Sequence, residues 1–162
     1  MMAGSGKASQ SASVVAVRKL ATSDVPAVFA ILQESPEAAA WSQDNLLQLA
    51  SADPAAWVAE LNEVPVGFLI GRIAADEFEI LNMAVHKAHR WKGIGSRLLD
   101  SALQFSRNAG CVRAYLEVRA SNEPAIKLYA RHGFTVCGRR ALYYRDPVED
   151  AVLLSLNLSG TQ

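Results

Sequence analysis

The chain has 162 residues, and its 16 Lys and Arg residues balance its 16 Asp and Glu residues, so its formal net charge is zero. This length suits one domain with a full core, and the charge balance excludes the broad positive surface of a nucleic-acid binder. The longest apolar stretch, around "VPVGFLIG", is far shorter than the roughly 20 residues of a membrane-spanning helix.

The opening "MMAGSGKASQSAS" is small and polar and has no hydrophobic region like that of a secretory signal. We expect residues 1–12 to form a disordered tail and residues 13–159 to form a single domain. The two cysteines, Cys111 and Cys137, lie beside apolar stretches without the spacing of a zinc site. We therefore expect two reduced core thiols, which fits a cytoplasmic location.

The first half of the chain predicts strands and two short helices. Val14 to Leu20 is rich in β-branched residues and predicts a strand, and the following "ATSDVP" has the capping residues and proline of a helix start. Ser42 is placed to cap a second helix over "QDNLLQL". Asn62 and Glu63 separate two apolar runs and predict a hairpin turn, and Phe78 to Val85 predicts the next strand.

The clearest helix and strand follow in the second half. From Gly93 to about Ala109 apolar residues recur at helical spacing, and Gly110 supplies a stop. From Val112 to Val118 apolar and polar residues alternate, which predicts a strand. Glu117 is expected to point away from the apolar face of that strand.

The end of the chain predicts one more helix and two strands. Ser121 or Asn122 is placed to cap the helix, and Gly133 ends it. Phe134 to Cys137 and Ala151 to Leu156 predict the last two strands.

These elements predict a mixed α/β fold with a central sheet covered by helices. The helix from Gly93 is expected to join two neighbouring strands as a crossover. Because open sheets bind ligands at the carboxyl ends of strands, we expect a cleft where residues 82–85 and 117–119 end their strands.

The segment "RWKGIGS", Arg90 to Ser96, begins the clearest helix. The first amides of a helix lack internal partners and bind anions, and glycine lets a ligand approach the backbone, while Arg90 and Lys92 add charge at the rim. A P-loop is disfavoured because "GIGSRLL" has no lysine in the required place, and a dinucleotide fold is disfavoured because Leu98 replaces its third glycine. A phosphate cradle and a turn that only starts the helix remain open.

The segment "YLEVRASNEPAIKLY" adds three candidate residues. Glu117 ends a strand, Asn122 starts a helix, and Tyr129 lies about two turns into it. A carboxylate and a phenol that face one cleft can act as base and acid. Taken singly, a solvated Glu, a capping Asn and a packed Tyr are the ordinary alternatives.

Together these segments resemble the GNAT superfamily of N-acetyltransferases, whose pyrophosphate loop follows Arg/Gln-x-x-Gly-x-Gly/Ala; Arg90, Gly93 and Gly95 fit that pattern. Within the superfamily the chain is similar to the RimI-type ribosomal-protein-alanine N-acetyltransferases. Blocks that resemble that family occur in order over residues 80–154: "ILNMAV", "RWKGIGSRLL", "LEVRASN", "AIKLY", "HGF", "GRR..YY" and "EDAVLL". The first 75 residues match more loosely.

The resemblance implies a mostly antiparallel sheet that splays open near Val85 and Arg119, acetyl-CoA as the donor, and no metal. It implies Glu117 as proton acceptor and Tyr129 as proton donor. Glu79 and Tyr143 are candidates for the walls of the acceptor groove. The expected cofactor-binding residues are Met83, Ala84, Val85, Arg90, Trp91, Lys92, Gly93, Ile94, Gly95, Ser96 and Asn122.

The resemblance further implies transfer of an acetyl group to the N-terminal α-amine of a protein, such as the N-terminal alanine of a ribosomal protein, with no nucleic-acid or membrane partner. Two alternatives remain open. The same fold can acetylate a small-molecule amine or an antibiotic, because fold does not determine substrate. A non-catalytic acyl-CoA sensor is the second alternative, although such a module would need neither Glu117 nor Tyr129.

Overall fold

A computed structural model describes residues 14–52 and 54–160, so the tail predicted over residues 1–12 lies outside the described residues. The strands in these ranges are β1 (Val15–Lys19), β2 (Ala55–Leu61), β3 (Val64–Ala74), β4 (Glu77–Val85), β5 (Arg113–Arg119), β6 (Thr135–Tyr144) and β7 (Glu149–Asn157). The α-helices are α1 (Val25–Gln33), α2 (Gln43–Ser51), α3 (Ile94–Asn108) and α4 (Glu123–Arg131), and 3-10 turns occur at Thr22–Asp24 and Lys87–His89.

Local signals define most of these elements as predicted. Ser42 accepts a hydrogen bond from the Asn45 amide at 3.1 Å and caps α2. Asn62 and Glu63 have φ angles of 51° and 67°, the left-handed pair that joins β2 to β3 in a tight hairpin. Within the described residues, no helix is long and apolar enough to cross a bilayer.

The strands form one sheet in the order β1-β2-β3-β4-β5-β7-β6. All neighbours are antiparallel except β4 and β5, which α3 connects as a crossover. The parallel pair is short: its register runs from Glu77↔Arg113 to Ile80↔Leu116 and stops there. The predicted mixed sheet is confirmed, and a gap opens between residues 81–85 of β4 and residues 117–119 of β5.

A β-bulge in β4 coincides with the start of this gap. Ile70 of β3 pairs with Asn82, but the next residue, Gly71, pairs with Ile80, so Leu81 is the extra residue. Bulges bend a strand and increase its local twist. Gly71 is required beside the bulge, because a Cβ there would lie 2.4 Å from the ring of Phe78.

Two hydrophobic cores cover the two faces of the sheet. On one face, buried residues of α3 such as Leu98 and Leu99 pack with Leu116 and Val118 of β5. On the other face, residues of α1 and α2 pack on β2, β3 and the end of β4, with Phe68 at the centre. The gap between β4 and β5 therefore connects the face of the sheet that packs on α3 with the face that packs on α1 and α2.

The end of the chain differs from the prediction in two respects. β6 continues to Tyr144 instead of ending at Cys137, because a bulge between Val136 and Gly138 interrupts the period-two pattern without ending the strand. Cys111 is buried as expected, but Cys137 is exposed, so the prediction of two core thiols is wrong for Cys137. The bulge lies on the edge strand of the sheet, where a side chain can face solvent.

Candidate active site

Backbone groups at the end of β4 point into the gap. The amide of His86 donates to the carbonyl of Val66 at 2.7 Å. This bond shows which residues of β4 direct their backbone groups toward β3 and which direct them away from it. Because paired residues alternate in an antiparallel ladder, Ala84 bonds to β3, whereas Met83 and Val85 direct their amides and carbonyls into the gap. This geometry corrects the expectation for Ala84, which does not offer its amide to a ligand there.

A cavity of about 450 Å³ adjoins the gap on the α3 and α4 side of the sheet. Of the residues expected to bind the cofactor, Ala84 and Lys92 are not part of its lining, and Lys92 is exposed to solvent. The other nine line it: Met83, Val85, Arg90, Trp91, Gly93, Ile94, Gly95, Ser96 and Asn122.

The glycine segment forms a turn whose amides face the cavity. Gly93 has φ of 78°, and the first hydrogen bond of α3 runs from the Arg97 amide to the Gly93 carbonyl at 3.2 Å. The amides of residues 94–96 precede that bond and have no partner within the helix. A Cβ at Gly95 would lie 3.0 Å from the Leu128 side chain. Because Gly95 has no side chain, α4 can pack close to the start of α3 while the amides there stay accessible. Accessible amides at a helix N-terminus are the geometry of an anion site.

The charge of Arg90 is used within the protein. Its Nε donates to the carbonyl of Val85 at 3.1 Å, and its guanidinium pairs with Glu37 at 2.9 Å. Arg90 thus fixes the turn to the end of β4, and it is not the free rim charge that the sequence suggested. Glu37 also lines the cavity, and "SPEAAAW" contains no pattern that identifies it. Arg131 of α4 lines the cavity as a further cation that sequence reasoning missed.

Asn122 both caps α4 and lines the cavity. Its Oδ1 accepts a hydrogen bond from the Ala125 amide at 3.3 Å at the start of α4, and the residue lines the cavity. Pro124 follows in the first turn, where a missing N–H costs nothing. The neighbouring Ser121 is held from β7, since Glu149 accepts from its amide and its hydroxyl.

Glu117 faces the opposite side of the sheet from the cavity. Its neighbours in β5, Leu116 and Val118, belong to the core that contains Tyr129, so alternation directs Glu117 to the other face. There the Nε of Arg140 lies 3.0 Å from its carboxylate. The interaction of Tyr143 with the Glu117 carboxylate is the main cause of the raised pKa of Tyr143. The base candidate therefore forms an ion pair with Arg140 of β6.

Tyr129 is buried, with 5% of its surface exposed, and its ring packs edge-on against Phe134 at a centroid distance of 5.5 Å. It lies in the core and is not part of the cavity lining. Burial raises the pKa of its hydroxyl well above the usual value, and Tyr144 adds to the shift. Glu117 and Tyr129 thus lie on opposite faces of the sheet, and a cleft that both of them face stays a prediction.

Tyr144 lies close to both candidate residues. Burial, followed by the charge of Glu117, raises the pKa of Tyr144 to about 12, and Tyr144 in turn influences Tyr129. The doublet "YY" at the end of β6 is the sequence signal that could have identified it. The register of β6 shifts between Arg140 and Tyr144, and the two tyrosine rings lie 5.1 Å apart, so strand alternation alone does not describe their directions.

The two groove candidates lie with Glu117 on its face of the sheet. Glu79 pairs in register with Tyr115 and forms an ion pair with Arg72. The pKa of Tyr143 responds to Glu79 as well as to Glu117, so the three side chains are near one another. Within residues 14–52 and 54–160, no group of three His, Cys, Asp or Glu residues is placed to hold a metal ion.

Comparisons with known proteins agree with this geometry. Residues 17–134 match the acetyltransferase (GNAT) family. The chain is 31% identical over 145 residues to the [ribosomal protein bS18]-alanine N-acetyltransferase of Escherichia coli strain K12, covering 88% of this chain and 97% of that protein. It is 43% identical over 82 residues to N-alpha-acetyltransferase RimI of Mycobacterium tuberculosis, covering 51% of this chain and 50% of that protein.

The fold comparison leads to the same group of proteins. The crystal structure of the ribosomal-protein-S18-alanine N-acetyltransferase from Escherichia coli superposes with a TM-score of 0.81 at 30% identity, covering 92% of this chain and 97% of that chain. The similarity extends along most of both chains. The chain therefore belongs to the GNAT family of N-acetyltransferases.

Proposed function

We propose that this chain transfers the acetyl group of acetyl-CoA to the N-terminal α-amine of a protein, with the N-terminal alanine of a ribosomal protein as acceptor. One observation carries the proposal: a gap in the sheet connects a cavity with a helix-amide anion site to a carboxylate on the opposite face. The relatives named above for acetylation of ribosomal protein alanine support the choice of acceptor. A ribosomal acceptor implies that the reaction takes place in the cytoplasm.

The cavity suits acetyl-CoA in size and chemistry. Its volume of about 450 Å³ is typical of small-molecule sites. Apolar side chains such as Met83, Val85 and Leu128 line one part, which suits the pantetheine arm, and the amides of residues 94–96 suit the pyrophosphate. Acetyl-CoA supplies an acetyl group already activated as a thioester.

The acceptor must be neutral to attack the acetyl carbon. With an α-amino pKa near ~7.8, about one N-terminus in seven is neutral at pH 7, whereas a lysine near ~10.4 is neutral in about one case in 2,500. A single carboxylate base is therefore better matched to an α-amine than to a lysine. Glu117 takes the amine proton, directly or through a water molecule.

The end of β4 supplies the donors for the acetyl oxygen. The amides of Met83 and Val85 point into the gap, where negative charge develops on that oxygen as the new C–N bond forms. Preorganised donors of this kind typically contribute about 2.7–4 kcal/mol each to lowering the barrier. The C–S bond breaks in the same reaction and leaves the CoA thiolate.

Tyr129 assists the departure of the thiolate. Because burial raises its pKa, the hydroxyl stays protonated across the working pH range and can donate a hydrogen bond. A buried phenolate is costly, so the role of Tyr129 is to stabilise the developing thiolate. A thiol with a pKa near ~8.5 is a good leaving group, and the loss of Tyr129 should slow the reaction without abolishing it.

The test compares two acceptors with acetyl-CoA as the common donor. One peptide begins with a free alanine, and the other has the same sequence with a blocked N-terminus and one free lysine. We expect turnover of the first only. Equal rates, or turnover of the lysine alone, would contradict the proposed acceptor.

Two further outcomes correspond to the alternative functions. Transfer to members of a small-amine and antibiotic panel, with no transfer to either peptide, would identify a small-molecule acetyltransferase. A thermal shift with CoA but no transfer to any amine would identify a binding module, because a ligand stabilises the state that binds it whether or not chemistry follows.

A further inference from the structure

We propose that Arg140 sets the charge of the acceptor site and so keeps a bound α-amine in its neutral, nucleophilic form. The inference rests on the function proposed above, in which Glu117 receives the amine proton. It assigns a role to a residue that forms no part of the donor cavity.

Arg140 reaches Glu117 across an intervening strand. It lies on β6 opposite Ala151 of β7, whereas Glu117 lies on β5 opposite Leu153 of β7. The Nε of Arg140 is 3.0 Å from the carboxylate. The Glu117 side chain is 21% exposed and that of Arg140 is 56% exposed, so the guanidinium covers the carboxylate from the solvent side, where an acceptor peptide would enter.

An isolated carboxylate would work against the reaction. A nearby negative charge stabilises an ammonium ion and raises the pKa of the amine, so a bare Glu117 would hold the acceptor in its unreactive form. A guanidinium in contact with that carboxylate cancels most of this effect, because the amine then faces a neutral pair. A neighbouring cation is a known means of lowering an amine pKa.

The other groups around Glu117 do not provide this compensation. Tyr143 and Tyr144 of β6 and Tyr115 of β5 have raised pKa values and remain neutral at working pH. The two nearby carboxylates have their own partners: Glu79 of β4 pairs with Arg72, and Glu149 of β7 pairs with Arg119. Among residues 14–52 and 54–160, Arg140 is thus the cation in contact with the proposed base.

The test measures kcat against pH from about 6 to 9.5 with the alanine peptide and saturating acetyl-CoA, since kcat reports groups in the substrate complex. The variants are Arg140→Gln and Arg140→Lys, with Arg139→Gln as control. Arg139 is the adjacent arginine on β6, but it pairs with Asp150 at 2.7 Å, away from Glu117.

For Arg140→Gln we expect the inflection of kcat to move up by about one pH unit. At pH 7 this corresponds to a roughly tenfold loss that nearly disappears by pH 9.5, because the amine is then neutral in both proteins. Arg140→Lys, which retains the charge, and Arg139→Gln should follow the wild type. A general structural defect would lower kcat equally at every pH.

Several results would overturn the inference. The first is an Arg140→Gln profile of kcat against pH that coincides with that of the wild type. The second is a loss of kcat in Arg140→Gln that is the same at all pH values. The third is an Arg140→Lys profile that follows that of Arg140→Gln. If the wild type is active, such a result removes the role of Arg140 and leaves the proposed function intact. A wild-type chain that acetylates no N-terminal peptide overturns the proposed function and this inference together.

Discussion

The two sides of the gap between β4 and β5 are built from different parts of the chain. On the donor side, the amides of residues 94–96 and the polar groups of Met83 and Val85 are backbone atoms, exposed where a helix begins and a strand loses its partner. On the proposed acceptor side, the candidate groups are side chains in contact with other side chains, above all Glu117 with Arg140.

This difference predicts how each side responds to substitution. A site made of backbone atoms tolerates most side-chain changes and fails only when the backbone is blocked or moved. A site made of side chains depends on single functional groups, and the loss of one changes the chemistry directly. Substitutions on either side of the gap therefore test the contrast.

Glu117→Gln should have the largest effect. The amide keeps the shape of the side chain but cannot accept the amine proton, so kcat should fall by at least ~100-fold, within the range of general-base catalysis. The dissociation constant of acetyl-CoA should not change, because the carboxylate lies on the other face of the sheet. Calorimetry and steady-state rates measure the two quantities, and an unchanged kcat would remove Glu117 from the mechanism.

Gly95→Val should damage the donor side through the backbone. A Cβ at this position lies 3.0 Å from Leu128, so a branched side chain displaces α4 or fills the approach to the amides. Loss of one or two charge-assisted hydrogen bonds predicts a KM for acetyl-CoA raised roughly 10- to 100-fold. Ser96→Ala is the matched control, since it removes a cavity side chain and keeps the amide. A comparable loss in that control would contradict a cradle made of backbone.

Tyr129→Phe should lower kcat about tenfold, less than a typical general acid because a thiolate leaves readily. The KM for acetyl-CoA should stay the same, since the ring still packs against Phe134. Tyr144→Phe is the informative comparison, because Tyr144 lies close to both Tyr129 and Glu117. A larger loss of kcat in Tyr144→Phe than in Tyr129→Phe would move the donor role to Tyr144.

Asn122→Ala should have the smallest effect. Removal of the cap on α4 costs about 1 kcal/mol of unfolding free energy, which lowers the Tm by about 2–4 °C in a domain of this size. Asn122→Ser restores a capping oxygen and should recover the Tm. If the serine variant recovers the Tm but keeps a raised KM for acetyl-CoA, Asn122 also contacts the cofactor, and an unchanged KM would limit it to capping.

The features that the sequence predicted correctly are those that depend on residues close together in the chain. The hairpin at Asn62 and Glu63, the cap at Ser42 and the turn at Gly93 depend on φ angles and hydrogen bonds between near neighbours. The sequence therefore predicted them in the right places. Interrupted periodicity caused the errors, as in β6, where the bulge at Cys137 hid the rest of the strand.

Caps, glycine turns and hydrophobic periods act over short distances, so the sequence alone predicted the element order, the mixed sheet and the glycine turn at the start of α3. Only the tertiary structure decided that Glu117 and Tyr129 lie on opposite faces, that the amide of Ala84 points to β3, and that Arg140 reaches Glu117 across β7. Those facts depend on register and on the bulges that shift it, and a one-residue shift in a strand turns every side chain to the other face.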